Sequence, residues 1–147
     1  EMMLEYSISD KLQLNKGLTE VRMIDSNSEL EKLCENTGCS IELNDDGKDI
    51  LFAVIKDEKI LSYAGMNDVA YDDGSVEISV ETAPDHRRKG YAFACVSALT
   101  EHILDNNCTV RYKCSMFNKA SSAVAEKCGF SLEGKRYSYI CGIIEDN

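Results

Sequence analysis

The hydrophobic positions of this chain change period sharply after the strand 75–82. Up to there, apolar residues mostly alternate or run in short blocks; from Tyr91 to about Leu104 they recur every three or four residues. Residues 1 to about 17 read as a weak strand ended by a turn at Asn15-Lys16-Gly17. Thr19 to Asp25 alternates like a half-buried strand. Ser26-Asn27-Ser28 then offers a helix cap, with Leu30 and Leu33 facing inward and Gly38 as the stop. Asn44-Asp45-Asp46-Gly47 is a turn signal. Ile50 to Lys56 and Lys59 to Ala70 bracket Asp57-Glu58 as a hairpin, and Asp72-Asp73-Gly74 turns the chain into Ser75 to Thr82. Three antiparallel strands in succession make a sheet.

From Tyr91, the residues Ala92, Cys95 or Val96, Leu99 and Ile103 keep helical spacing to about Leu104, and Asp105-Asn106-Asn107 ends the helix. Thr109 to Cys114 is a strand. It is joined to Ser75–Thr82 through that helix, so it is expected to run parallel to it. Ala120 to Lys127 is a short helix with Ala120, Val124 and Cys128 on one face; Gly129 suits its left-handed stop and Phe130 the accompanying apolar contact. Ser131 to Ile143 reads as a last pair of strands. The pattern predicts a mixed α+β domain with one βαβ crossover.

Length and composition set the class. At 147 residues, with 44% hydrophobic and 29% charged residues, the chain reads as a single globular domain, 1–147. No apolar run approaches the roughly 18 residues of a membrane span, and the N-terminus lacks the basic start and apolar core of a signal peptide. The chain begins with Glu1, which leaves open that residues 1–17 are a remnant of a longer parent. Sixteen Lys and Arg against 26 Asp and Glu give a net charge of −10. Such a surface repels phosphate backbones and anionic membranes and draws in a cationic small molecule such as an amine. The seven cysteines, at 34, 39, 95, 108, 114, 128 and 141, form no C-x-x-C and no zinc spacing, so no metal is expected. Most of them fall inside apolar stretches and read as buried free thiols in a reducing cytoplasm.

The informative stretch is Val80 to Ala92, where a strand ends, a short loop holds Arg87-x-x-Gly90-x-Ala92, and a helix begins at once. Free N–H groups and the dipole at a helix N-terminus favour an anion. Gly90 and Ala92 keep side chains away from the backbone, and Arg87, Arg88 and Lys89 reverse the local sign of an acidic protein. The pattern points to a phosphate site ahead of a generic helix cap.

Here the chain resembles the Gcn5-related N-acetyltransferase (GNAT) family. Arg87-x-x-Gly90-x-Ala92 matches that family's pyrophosphate-loop pattern, and Asn118 followed by Gly129-Phe130 matches its Asn, short helix and Gly-Phe close. Ala94-Cys95-x-x-Ala98-Leu99 with Asn118-x-x-Ser121-x-x-x-Ala125-Glu126-Lys127 looks closest to the zwittermicin-resistance-like branch. The resemblance implies a GNAT-like α+β fold, with a mostly antiparallel central sheet of about six or seven strands flanked by helices. It implies acetyl-CoA as donor and an amine as acceptor. The backbone of Val80 and Thr82 would pair with the pantetheine arm like an added strand. Amides of Arg88, Lys89, Gly90, Tyr91 and Ala92 would hold the pyrophosphate beside Arg87, and Asn118 and Ser121 would meet the pantetheine or acetyl end.

Acetyl transfer needs a base for the amine, a donor for the oxyanion and an acid for the sulfur. Glu77 and Glu81 share one face of strand 75–82; Glu77 is preferred as base and Glu81 is second. Many members of the family carry a Tyr as acid seven residues after the Asn; this chain has Ala125 there. Tyr112, Tyr137 and Tyr139 are stand-ins, with an alternative role as sheet residues whose hydroxyls reach the surface, and solvent can also protonate the thiolate. His86 shapes the loop, and His102 suits the end of its helix. The reading is an acetyl-CoA-dependent N-acetyltransferase of a small cationic amine, acting by direct transfer in a ternary complex. Its alternatives are a non-catalytic acyl-CoA-binding sensor and a nucleotide-binding regulatory domain. The sheet edges leave a homodimer open.

Overall fold

A computed structural model of the protein describes residues 2–34, 41, 43, 49–68 and 71–137. The chain opens with strand β1 (Met2–Ile8) and a short 3-10 helix (Lys11–Gln13), then forms β2 (Arg22–Ile24) and helix α1 (Asn27–Cys34). An antiparallel meander follows as β3 (Leu51–Lys56), β4 (Lys59–Met66) and β5 (Val76–Thr82). Helix α2 (Tyr91–Asp105) crosses to β6 (Val110–Ser115), and helix α3 (Lys119–Cys128) leads to β7 (Ser131–Tyr137). The seven strands form one sheet in the order β2-β3-β4-β5-β6-β1-β7, in which only β5 and β6 run parallel. This is the α+β architecture that the pattern and the family resemblance predict; α2 carries the expected crossover between the parallel neighbours, and α3 carries a second, from β6 past β1 to β7.

Local chemistry explains the elements. Ser26 Oγ accepts from the Glu29 amide at 3.3 Å and starts α1, whose Leu30 and Leu33 are buried as expected. Asp57 and Glu58 both take positive φ, 52° and 60°, which matches the twist of the β3–β4 hairpin they join. Gly129 closes α3 with φ 102°; its amide donates to Glu126 O and the amide of buried Phe130 donates to Ala125 O at 3.0 Å. Two elements are shorter than the pattern suggests. The strand expected over 19–25 pairs only through Arg22–Ile24, on the outer edge of β3, and the one expected to reach Ala70 ends at Met66. The helix stop at Gly38, the turn at 44–47, residues 69 and 70, and the strand expected beyond Tyr137 lie outside the described residues.

The sheet separates two cores. On one face α2 and α3 cover Tyr6, Ile8, Val54, Ile78, Val110 and Tyr112, with Cys95, Val96 and Leu99 from α2 fully buried against them. On the other, α1 covers Ile24, Leu51 and Ala53 at the β2–β3 end. β1 enters between β6 and β7 and hydrogen-bonds to both. Its Tyr6 stacks edge-on to Tyr112 with centroids 6.4 Å apart and shares a hydrogen bond with Ser122 Oγ at 2.8 Å. No helix among the described residues is long and apolar enough to cross a membrane.

One feature of the sheet positions the cleft. The parallel pairing of β5 with β6 covers Val76↔Val110, Glu77↔Arg111 and Ile78↔Tyr112, and stops there. Beyond it each strand stays with its outer neighbour: β5 with β4 as far as Ser62↔Thr82, and β6 with β1 as far as Met3↔Ser115. A bulge at Leu61, between the pairs Val54↔Ser62 and Ile55↔Ile60, bends β4 on the same side. The two strands therefore part, and the inner edge of β5 from Ser79 onward has no strand beside it.

The segment after β1 is tied to the end of α3, since Asn15 N donates to Cys128 O at 2.9 Å and a Cβ on Gly129 would meet the Gln13 carbonyl. Gly129→Ala is thus expected to lower stability by about 3 kcal/mol, from left-handed strain plus that backbone clash. Chemical denaturation checks this, and a loss below about 1 kcal/mol would mean that the segment yields freely.

Candidate functional site

The alternation of backbone groups along β5 is fixed at both ends. Val76 N donates across to Thr109 O, whereas Glu77 O accepts from Asn67 N and Ala83 N donates to Leu61 O, both on the β4 side. Residues 77, 79, 81 and 83 therefore spend their main-chain groups on β4, and Val80 and Thr82 turn theirs toward the gap left by β6. Arg87 Nε reaches Thr82 O from that side at 3.4 Å.

A cleft of about 950 Å³ opens at this gap. Its floor is Val80 to Ala83. One wall is the loop Pro84–Gly90 with the first turn of α2, and the other is the α3 face carrying Asn118, Ser121 and Val124. The α2 N-terminus carries no side-chain cap and no acidic residue in its first turn, so its free N–H groups and dipole face the cleft without an anion of their own. Gly90 sits at φ 80° with open space where a Cβ would be, and Arg88 also takes a positive φ of 64°. The loop thereby turns successive amides to one side. His86 Nδ1 is buried on the cleft wall with no hydrogen-bond partner. An orphaned buried nitrogen, uncapped amides and two arginines at one end fit a phosphorylated ligand.

Nearly every residue expected to bind the cofactor meets here. Val80, Thr82, Arg87, Arg88, Gly90, Tyr91, Ala92, Asn118 and Ser121 line the cleft; Lys89 does not. Asn118 caps α3, its Oδ1 accepting from Ser121 N at 3.1 Å. Thr82 Oγ1 is tied to Ser62 Oγ at 2.8 Å, which holds the end of β5 to β4.

The two candidate bases part company. Both face away from α2, but only Glu81 lines the cleft. Its Oε2 accepts from Tyr63 Oη at 3.1 Å, across the register pair Tyr63↔Glu81. Glu77 is 9% exposed and enclosed by donors: Tyr71 Oη at 2.5 Å, Asn67 Nδ2 at 2.9 Å and Lys113 Nζ at 3.4 Å. Burial pushes its carboxyl up, but the hydrogen bonds from Tyr71 and Asn67 and the charge of Lys113 outweigh burial and hold it below the ordinary value. A carboxylate whose lone pairs are taken and whose proton affinity is lowered makes a poor base.

The tyrosines considered as acids are elsewhere. Tyr112 is 2% exposed rather than presenting its hydroxyl at the surface, and that hydroxyl is bound to Ser121 at 2.6 Å and to the Ser121 carbonyl. Burial pushes its phenol up to about 12. Tyr137 lies on the outer strand β7, and Tyr139 is outside the described residues. Sequence reasoning missed Tyr63, Ile60 and Ile41, which wall the cleft on the α1 side. The alternation of Lys59–Met66 contained a signal for Tyr63, but its pairing with Glu81 needs the β4–β5 register.

The comparisons agree with this geometry. The model of the GNAT acetyltransferase family matches residues 48–139. No curated protein matches the chain at the level of sequence. Among solved structures, a GNAT-family protein from Novosphingobium aromaticivorans superposes with a TM-score of 0.68 at 16% identity, covering 91% of this chain and 60% of its own. A GCN5-related N-acetyltransferase-like protein from Streptococcus suis gives 0.62 at 21% identity, covering 92% and 59%. The chain thus spans about three-fifths of the length of these two proteins. An aminoglycoside N-acetyltransferase in complex with CoA gives 0.57 at 15% identity, covering 82% of this chain and 98% of its own. These likenesses speak to the fold, and the family match covers most of the chain, including β3 to β7 and the entire cleft loop. The protein belongs to the GNAT acetyltransferase family.

Proposed function

We propose that the protein is an N-acetyltransferase, moving the acetyl group of acetyl-CoA to a primary amine within a ternary complex. The observation that carries this reading is the unpaired inner edge of β5, at Val80 and Thr82, leading straight to the uncapped N-terminus of α2. That edge has the hydrogen-bonding pattern an extended amide-bearing arm would complete. The amides from Arg88 to Ala92, with Arg87, stand where a pyrophosphate would end such an arm. When bound, acetyl-CoA supplies an activated acyl carbon and a thiolate leaving group.

The chain's own groups then have defined tasks. Val80 N–H points at the gap and can donate to a carbonyl oxygen held there, and Glu81 accepts a proton from the amine directly or through water. The new carbon–nitrogen bond forms as the carbon–sulfur bond breaks, the amine proton passes to Glu81 or water, and the sulfur leaves with its electron pair. Solvent suffices as acid, since a thiol titrates near about 8.5. Glu77 is a positioning residue, fixing Tyr71, Asn67 and Lys113 beneath the gap. The whole chain, 1–147, reads as one acetyltransferase domain, and the four free thiols among its described residues suit a reducing cytoplasm. Placement in the zwittermicin-resistance-like branch rests partly on Ala94, Cys95, Leu99 and Ala125, all buried core residues that bear on packing rather than on the acceptor.

Gly90→Ala has room for its Cβ but sits at φ 80°, so it is expected to cost about 1–2 kcal/mol of stability while losing far less acetyl-CoA affinity than a charged residue there. Gly90→Glu sets a carboxylate against the pyrophosphate and is expected to lose about a hundredfold or more in calorimetry. Equal affinities in both variants would remove the phosphate-loop assignment.

Glu81→Gln should reduce kcat/KM by roughly a hundredfold near neutral pH, with the deficit shrinking as the pH nears the pKa of the free amine. A flat pH profile of the deficit would assign Glu81 to binding instead.

Glu77→Gln should act on stability instead, costing about 2 kcal/mol at neutral pH through its unpaired donors. A carboxylate with a lowered folded value stabilises fully above its unfolded value and loses that contribution as pH falls through the folded one. The gap between Glu77→Gln and wild type should therefore shrink as pH falls below 4.5. Denaturation curves across pH test this, and a gap that widens in acid would contradict it.

A further inference from the structure

We infer that the acceptor is an amine with a single positive charge borne on an apolar body, and that it is received on the α1 side of the sheet by Glu81, Tyr63, Ile60 and Ile41. This rests on the acetyl-transfer reading above and narrows its substrate. The cleft at the end of β5 reaches residues on both faces of the sheet, so its two ends differ in chemistry. At the α2–α3 end stand Arg87, Arg88 and Lys127, the last with its Nζ 4.5 Å from the centre of the Phe93 ring. At the α1 end stand two isoleucines, a tyrosine and a glutamate.

Among the described residues that line the cleft, Glu81 is the only carboxylate. Its Oε2 takes the Tyr63 hydroxyl, which orients the group and leaves Oε1 to face an ammonium. Burial, then the charge and hydrogen bond of Glu81, push the Tyr63 phenol up to about 12, so this neighbour stays protonated and adds no second negative charge. Ile41, Ile60 and Tyr63 pack against the core beneath α1 and present an apolar wall beside that carboxylate. Among the described residues that line the cleft, one ammonium is thus matched by one counter-charge, and a second on the same molecule would meet either the apolar wall, where it loses water without a partner, or the arginines at the far end, which repel it. The protein's net charge of −10 draws cations in general; the wall selects among them.

The test is thiol release by the full chain with linear monoalkylamines of increasing length and with diamines of the same lengths. Acetyl-CoA affinity is measured separately by calorimetry. kcat/KM is expected to rise roughly two- to fourfold per methylene along the monoamine series, and each diamine is expected at least about tenfold below the monoamine of equal length. Ile60→Asp should reverse that order. Ile41→Asp, which lies outside the strands, should do the same and guards against a folding defect in the first variant. Diamines used as well as monoamines, rates indifferent to chain length, or acetyl-CoA binding with no turnover of any monoamine would each overturn the inference while leaving cofactor binding in place. Absence of acetyl-CoA binding would instead remove the acetyl-transfer reading itself.

Discussion

The parting of β5 from β6 after Ile78 and Tyr112 is the constraint on which the rest depends. A sheet normally satisfies every inner main-chain group by the strand beside it, and leaving Val80 and Thr82 without one is costly unless water or a ligand takes its place. The fold holds the gap open rather than letting it close. β4 clamps β5 through the pairs from Met66↔Ile78 to Ser62↔Thr82 and the Ser62–Thr82 hydroxyl pair, while β1 clamps β6 along six register pairs. α3 stands behind the gap, tied to β6 by the Tyr112 hydroxyl on Ser121 and to β1 by Tyr6 on Ser122. Both strands are held from outside, so the opening between them is built in.

The same opening divides the chemistry. Even-numbered residues of β5 face α2 and supply Ile78 to the main core; odd-numbered ones carry Glu77 and Glu81 to the opposite face. The strand therefore offers two carboxylates four residues apart, and their surroundings separate them. Glu77 lies where β5 and β6 are still paired, within reach of Lys113 on β6 and the hairpin residues Asn67 and Tyr71. Glu81 lies beyond the last pair and lines the cleft. One strand turn separates a structural ion pair from a group free to take up a proton.

Much of this was legible in the residues, for local reasons. Hairpin turns, helix periodicity and the left-handed close at Gly129 are short-range, and so is the Arg87-x-x-Gly90-x-Ala92 loop, which the structure turns into an uncapped helix start. What was not legible depends on pairing across long separations. Met2–Ile8 reads only as a weak strand, because half of its pattern is explained by neighbours more than a hundred residues away, in β6 and β7. The donors around Glu77 come from two separate segments, the β4–β5 connection and β6, so alternation gave its face but not its environment, and the reading from sequence favoured 77 over 81. Tyr63 was hidden in the same way, since its value lies in facing Glu81 across the β4–β5 register.

The most direct test of the central claim is amide hydrogen exchange at Ser79, Val80, Glu81 and Thr82, resolved by NMR with and without acetyl-CoA. An arm that adds itself to the open edge of β5 should slow exchange at Val80 and Thr82 and leave Ser79 and Glu81, already bonded to β4, nearly unchanged. Binding that slows all four equally, or that protects only the α2 loop and leaves Val80 and Thr82 exchanging as before, would contradict it.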